Sequence, residues 1–470
     1  MGIGDCLPPG PARTGWRVGQ GRLEIWRWGV LILTVALASC QALEIPVSNT
    51  LPASLVTPAI TPATVETQTA QTAIGNPPGP VLTIAPLPDG QFLAGVGPIG
   101  DAETGFEWRL YRGRDDTWQR LSWPPEAIPR SLHPAPSSNL LFAVPFSNAL
   151  FGRGQAWGLM RSTDGGRSWE QALEGLGDPY VMDLAFSPTF PGPLPQSRTS
   201  DEDYTMFVVT WYSGVYRSTD AGQSWEPMSL LENAEVEPSG GPNPYDLAVA
   251  ASPDYQDLSD AESLPSSQGE RGDNIPAERG LLMASFSRGL HRWDGTTQTW
   301  ATIPLTVTAS VEDFDPPEAQ LAAGAIAFSP NFSDDGTIYL YSGYAGLFRS
   351  TDRGETWQPI GHRLPLPPPF VADFHLAVAS ADEAYVLLPG PEAQTQGATP
   401  EIKPESGEPV RVLYRTRDGG RSWEALTDPP TLGWVSAFAL TRDEAGRVVL
   451  HLGGSQGGVS SHVAQELHWD

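Results

Sequence analysis

The chain has 470 residues, with 28 Lys and Arg against 55 Asp and Glu, a formal net charge of −27. Clustered basic charge is what holds a phosphate backbone, so this balance excludes nucleic acid as a partner. With 49 Gly and 47 Pro, long helices cannot dominate, while 40% hydrophobic residues suffice for a buried core. The two cysteines, Cys6 and Cys40, build neither a disulfide framework nor a CxxC metal site.

At the amino terminus, Arg13, Arg17, Arg22 and Arg27 precede a short apolar run from Trp28 to Ala38. That run is about half the length a membrane-spanning helix needs, so it reads as an export signal over residues 1–39. It ends in Leu37-Ala38-Ser39-Cys40, which resembles the lipobox of bacterial lipoproteins and implies acylation of Cys40. The competing reading takes Ala36-Leu37-Ala38 as an ordinary cleavage site that leaves a soluble secreted chain. Residues 40–79 then comprise the lipidated Cys and a Thr/Pro/Ala-rich linker, whose span is about 35 Å as a flexible coil and about 120 Å as polyproline II.

From residue 80 the chain repeats. Arg161-Ser-Thr-Asp-Gly-Gly-Arg-Ser-Trp169, Arg217-Ser-Thr-Asp-Ala-Gly-Gln-Ser-Trp225, Arg349-Ser-Thr-Asp-Arg-Gly-Glu-Thr-Trp357 and Arg415-Thr-Arg-Asp-Gly-Gly-Arg-Ser-Trp423 align without gaps. Weaker echoes end at Trp118, Trp300 and Trp469, so the seven tryptophans recur every 46 to 75 residues. Each unit holds short β-rich runs parted by Gly, Pro, Asp and Ser turns, and each is the size of a four-stranded blade. The turns resemble the Asp-box, S/T-x-D-x-G-x-S/T-W, or BNR repeat, of the sialidase-like propellers. The expected fold is therefore all-β: a seven-bladed β-propeller over residues 80–470, with four-stranded antiparallel blades and Asp-box turns. Six blades is the alternative, should the last unit, through Trp434–Leu440, Arg447–Leu452 and the tail, not close as a seventh.

The Asp-box residues Asp164, Gly166, Trp169, Asp220, Gly222, Trp225, Asp352, Gly354, Trp357, Asp418, Gly420 and Trp423 read as structural. A carboxylate in a tight turn accepts local amide hydrogen bonds, and the indole buries a large apolar area against its blade. Spread around one rim, the four aspartates cannot converge on one substrate. Gly95–Gly100 matches GxGxxG without the helix a nucleotide site needs, and Gly453–Gly457 matches GxSxG without the helix of a hydrolase elbow. Arg271-Gly-Asp273 is a short match in a polar insertion, and the acidic clusters at 254–260 and 331–335 read as solvated loops. No metal site and no cofactor is expected.

Sialidases, as the resemblance implies, carry an arginine triad, a Tyr nucleophile with a Glu partner, an Asp acid/base and an Arg-Ile-Pro motif. Here the nearest match is Ile128-Pro-Arg130, in the wrong order, and Arg161, Arg217, Arg349 and Arg415 belong to the repeat. The chain is closer in character to the exported, non-catalytic propellers related to the photosystem II stability and assembly factor. The expected function is a lipid-anchored binding or assembly scaffold at the cell surface, leaning away from an enzyme. The alternative is a glycoside hydrolase of the sialidase-like or xyloglucanase-like class. A monomer is expected, with a membrane contact through the lipid and a protein or carbohydrate ligand. Strand order puts the turns between second and third strands, with the links between blades, on the face opposite the Asp-boxes. Trp211, Tyr212, Phe286, Tyr341, Tyr344, Glu312, Asp313 and Asp315 are the candidate binding residues there, against the alternative of ordinary packing.

Overall fold

The computed structural model describes residues 75–469 apart from 102–104, 137–138, 147–155, 192–202, 229–245, 256–279, 286–288, 296, 304–322, 343–345, 362–363, 365–374, 390–410 and 428–432. The first blade is β1 (Val81–Pro86), β2 (Phe92–Asp101), β3 (Gly105–Arg114) and β4 (Thr117–Arg120). The second is β5 (Ile128–Pro134), β6 (Leu141–Phe146), β7 (Met160–Ser162) and β8 (Glu170–Gln171). The third is β9 (Val181–Phe186), β10 (Met206–Thr210), β11 (Gly214–Ser218) and β12 (Glu226–Pro227). The fourth is β13 (Asp246–Ala251), β14 (Leu281–Ser285), β15 (Gly289–Asp294) and β16 (Thr299–Ile303). The fifth is β17 (Ala323–Phe328), β18 (Ile338–Ser342), β19 (Gly346–Ser350) and β20 (Gln358–Pro359), with one helical turn, α1 (Phe332–Asp335), between its first two strands. The sixth is β21 (His375–Val378), β22 (Ala384–Pro389), β23 (Arg411–Thr416) and β24 (Glu424–Ala425), and the seventh is β25 (Val435–Arg442), β26 (Val448–Gly454) and β27 (Val459–Val463).

Each blade is an antiparallel meander, and neighbouring first strands run side by side to form an inner ring, with β1 beside both β5 and β25. The ring closes without a shared sheet. Ser436 Oγ on β25 donates to the Val81 carbonyl at 2.7 Å, and the rings of Phe92 and His451 lie 4.5 Å apart. Seven blades are therefore present, and the six-bladed alternative falls.

The apolar interior lies between blades. Phe142 and Val208, for example, share one cluster across blades two and three, and Ala284 shares another with Leu340 across blades four and five. One repeat tryptophan sits in or against each of the seven clusters: Trp118, Trp169, Trp225, Trp300, Trp357, Trp423 and Trp469. Each packs against its own blade, as expected, and against the preceding blade as well. Trp225 Nε1 donates to Ala172 O at 3.0 Å, and Trp423 Nε1 to Ile360 O at 2.8 Å, each carbonyl following the outer strand of the preceding blade.

The repeat's leading arginine reaches the other way. Arg161 Nε donates to Ala221 O of the next Asp-box at 3.0 Å, Arg112 Nη1 to Gly165 O at 3.0 Å, and Arg292 Nη2 to Arg353 O at 2.9 Å. The accepting residue is in each case the one between Asp and Gly, held at a left-handed φ of 59°, 74° and 63° for Ala221, Gly165 and Arg353. Such a conformation is disfavoured for a side-chain-bearing residue. In these turns it aims the carbonyl at the preceding blade.

The seventh blade departs from expectation. Among the described residues β27 has no fourth strand, because the tail turns through a 3-10 segment (Ala464–Glu466) and Trp469 bridges to Leu426 of the sixth blade. The local chemistry is nonetheless kept: Arg415 Nη1 donates to Ala464 O at 3.1 Å and lies 4.2 Å over the Trp469 ring. A short tail thus supplies the carbonyl and the indole that an Asp-box supplies elsewhere.

Three substitutions test this arrangement by urea denaturation. Trp357→Ala, at a fully buried indole, should destabilise by about 3–5 kcal/mol. Arg161→Ala should cost about 1–3 kcal/mol by orphaning the Ala221 carbonyl, while Arg167→Ala on the exposed side of the same turn should stay within about 0.5 kcal/mol.

Candidate functional site

The Asp-box turns join third and fourth strands, as the spacing predicts, and all four share one geometry. Asp164 Oδ1 accepts from the Ser162 hydroxyl at 2.8 Å and the Ser168 amide at 2.9 Å, while Oδ2 accepts from the Ser168 hydroxyl at 2.6 Å. Ser162 Oγ in turn accepts from the Gly166 amide at 2.8 Å. Asp220, Asp352 and Asp418 repeat the pattern with Ser224, Thr356 and Ser422. Desolvation pushes these carboxyls up, but the hydrogen bonds outweigh it and hold all four below their ordinary value, Asp418 at about 2. An oxygen pair saturated by its own loop is a poor ligand or nucleophile, and the chemistry is that of a clamp.

The antiparallel meander puts the Asp-boxes beside the loops from first to second strands. The Gly165 amide donates to Asn139 O at 2.9 Å, the Arg353 amide to Gly336 O at 3.0 Å, and the Gly419 amide to Asp382 O at 2.9 Å. The opposite face therefore carries the hairpins between second and third strands and the links between blades. On that face Trp211, Tyr212 and Ser213 form the β10–β11 turn. Tyr212 is 38% exposed and meets Tyr180 edge to face at 5.7 Å, and Asp178 fixes both backbones by accepting the Tyr180 amide at 2.9 Å and the Tyr212 amide at 3.3 Å. Trp211 is half-buried against the core between blades three and four.

Tyr341 does not join this surface. It is 2% exposed on β18, in the core between blades five and six, because the strand alternation turns it inward. Phe286, Tyr344, Glu312, Asp313 and Asp315 lie outside the described residues. Sequence reasoning missed Phe106, which is 53% exposed near the tip of the β2–β3 ribbon on the same face. Phe106 and Tyr212 are the large hydrophobic side chains left exposed among the described residues, and both belong to hairpins between second and third strands. A signal was available in the length of that ribbon, ten residues a strand, beside a five-residue second strand in the third blade.

Ionisable groups on the first and second strands are engaged structurally. A bulge between Pro129 and Ser131 sets Arg130 apart, and its Nη1 donates to Met182 O at 2.9 Å. Asp183 accepts from its neighbour Leu184 at 2.8 Å and from the Val249 amide of the next blade at 3.2 Å. Burial pushes its carboxyl up to about 6, against the pull of those amides and Arg130. Burial and, secondarily, Arg130 hold His133 down to about 4, and burial with His462 does the same to His451. His451 lies between Thr441 Oγ1 at 2.7 Å and Ser461 Oγ at 2.8 Å. The GxSxG match is a hairpin turn between β26 and β27, and the GxGxxG match lies within β2, as expected. Among the described residues no cluster of His, Cys, Asp and Glu could hold a metal ion, and no helix is long and apolar enough to cross a membrane.

These shifts set the acid response. A histidine kept neutral in the fold but protonated when unfolded destabilises as pH falls from about 6.5 to about 4. Asp183 takes up its proton in the fold below about 6 and offsets part of that loss. The Asp-box carboxylates add stability above their unfolded pKa that is lost as pH falls towards about 2. Melting temperature should thus decline in two stages between pH 7 and 2, and His451→Gln should flatten the upper stage.

Comparison with known proteins agrees with the repeat. The BNR/Asp-box repeat model matches residues 348–359. A xyloglucanase of Paenibacillus sp is 23% identical over 268 residues, covering 56% of this chain, which spans only 22% of that protein. Among solved structures, YCF48 from Cyanidioschyzon merolae aligns over 85% of this chain and 100% of its own at 14% identity and a TM-score of 0.42. The GH74 xyloglucanase from Xanthomonas campestris aligns over 86% of this chain and 75% of its own at 14% identity and a TM-score of 0.37. Four clamped S/T-x-D-x-G turns on a seven-bladed ring give this chain a β-propeller fold with Asp-box turns, one of which matches the BNR/Asp-box repeat model.

Proposed function

We propose that the chain is an exported, non-catalytic binding scaffold, anchored through a lipid on Cys40, that captures its partner on the face opposite the Asp-boxes. One observation carries the reading: the exposed large hydrophobics of the described body, Phe106 and Tyr212, stand on hairpins of that single face. Exposed aromatics on fixed turns bury much apolar area at small entropic cost, which is why such residues anchor interfaces. The Asp-boxes are spent on their own turns and leave the other face for recognition. The lipobox-like end of the apolar run supports the anchor, and the linker would hold the body clear of a membrane.

A second reading, a glycoside hydrolase, is favoured by the partial likeness to the Paenibacillus xyloglucanase. Asp183 is the carboxyl to test in it, since its raised pKa suits a general acid. Purified protein assayed on fluorogenic sialosides and β-glucans should show no turnover, and turnover abolished by Asp183→Asn would replace the scaffold with an enzyme. Trp211→Ala with Tyr212→Ala should weaken capture of the native partner while deletion of residues 256–276 leaves it intact. Cys40→Ser should move the protein from the membrane to the soluble fraction.

A further inference from the structure

We propose that the seam between the seventh and first blades is an acid-sensitive latch, operated by His451, at which the ring opens before it opens elsewhere. In the first six blades one register position joins an arginine on the third strand to a large apolar or tyrosine side chain on the second. The pairs are Leu93 with Arg112, Phe142 with Arg161, Phe207 with Arg217, Leu282 with Arg292, Tyr339 with Arg349 and Tyr385 with Arg415. In the seventh blade that position pairs His451 with Ser461. His451 lies opposite the third residue past the bulge of its first strand, as Phe207 does in the third blade.

The exchange removes a fixed charge from the seam that closes the ring. Arg112, Arg161, Arg292 and Arg415 each hold a carbonyl supplied by the following blade. On the receiving side of the closing seam the Asp115 carbonyl, at a left-handed φ of 48°, is taken by Trp118 Nε1 of its own turn at 2.8 Å. Among the described residues the contacts across this seam are neutral. They are the Ser436 hydroxyl on the Val81 carbonyl, the Gly458 amide on Pro77 O at 3.1 Å, and the His451 ring against Phe92.

His451 is 6% exposed and bonded on both ring nitrogens to hydroxyls, those of Thr441 on β25 and Ser461 on β27. On the Phe92 side, the core shared by blades one and seven holds Tyr111 as its ionisable member. From β27 the charged neighbour is His462, which pairs with Leu450 and is itself influenced by Glu466. Among the described residues no carboxylate is bonded to His451, so an imidazolium formed there loses water and gains no counter-charge. Ser461 is exposed where Arg161 and Arg415 are buried, which gives a proton its route to the ring.

The sign follows from burial, which with His462 in second place holds the imidazole down to about 4. A closed seam refuses a proton that an open one accepts, so closure weakens as pH falls from about 6.5 to about 4. Between pH 7 and pH 5 that difference favours opening about twentyfold. Opening bares the apolar faces that blades one and seven present to each other.

Hydrogen exchange read by mass spectrometry on the full-length protein at pH 7 and pH 5, corrected for intrinsic rates, tests the latch. Peptides from β1, β2, β25 and β26 should lose protection about twentyfold, while those from β10 and β18 stay within about threefold. His451→Gln, which keeps a polar side chain that does not titrate, should abolish the loss, and His133→Gln should leave it. His451→Phe with Ser461→Arg, the pair found in the third blade, should abolish it as well. Uniform loss in all blades, unchanged protection at the seam, or a seam loss that persists without His451 would overturn the proposal. So would an imidazole pKa of about 6 or above for His451 in the folded protein, measured by NMR.

Discussion

A four-stranded blade has two apolar faces, and neither can be covered by the blade itself. Val208 on β10 belongs to the core shared with the second blade, and its neighbours Phe207 and Val209 belong to the core shared with the fourth. The alternation of side chains along a strand therefore makes every blade depend on two others. A linear stack would leave two bare faces at its ends, and a ring leaves none. Closure between β25 and β1 is thus the condition on which the rest depends, and the Ser436 bond to Val81 marks where it is met.

Polar bonds give this apolar ring its register. The arginine that opens the repeat reaches forward to a carbonyl of the next turn, and the tryptophan that ends it reaches back to the blade before. Left-handed backbone at Ala221 and Arg353 is ordinarily unfavourable. It is kept because the turned carbonyl satisfies a guanidinium of the preceding blade, buried at Arg161 and half-buried at Arg292, which would otherwise be costly. The same economy explains the carboxy-terminal tail, where Ala464 and Trp469 meet Arg415 without an Asp-box. The interface needs a carbonyl and an indole at the right places, and the motif is one way to supply them.

This division of labour leaves the two faces unequal. On one, carboxylates, hydroxyls and arginines are consumed in holding turns and blades together. On the other, Phe106 and Tyr212 stand exposed on hairpins between second and third strands. Phe106 and Tyr212 owe their exposure to this: the ring is complete without them. Asp183 and His133 show the reverse case, ionisable groups whose shifted titration comes from burial within the inner ring.

The sequence alone determined the repeat, its spacing and the positions of its tryptophans, because a motif that closes one tight turn recurs at the spacing of a blade, while the closure between β25 and β1 decided seven blades over six. Even Trp469, with no Asp-box before it, fell on the same ruler. What the sequence could not reveal was what each residue touches across a blade boundary, since Arg161 and Ala221 are sixty residues apart and their bond follows from the packing of one blade on the next. Nor could it separate Tyr341 from Tyr212: both are tyrosines near the ends of second strands. Only the neighbouring blade decided between them, by covering the face on which Tyr341 lies and leaving the turn that carries Tyr212 open to solvent.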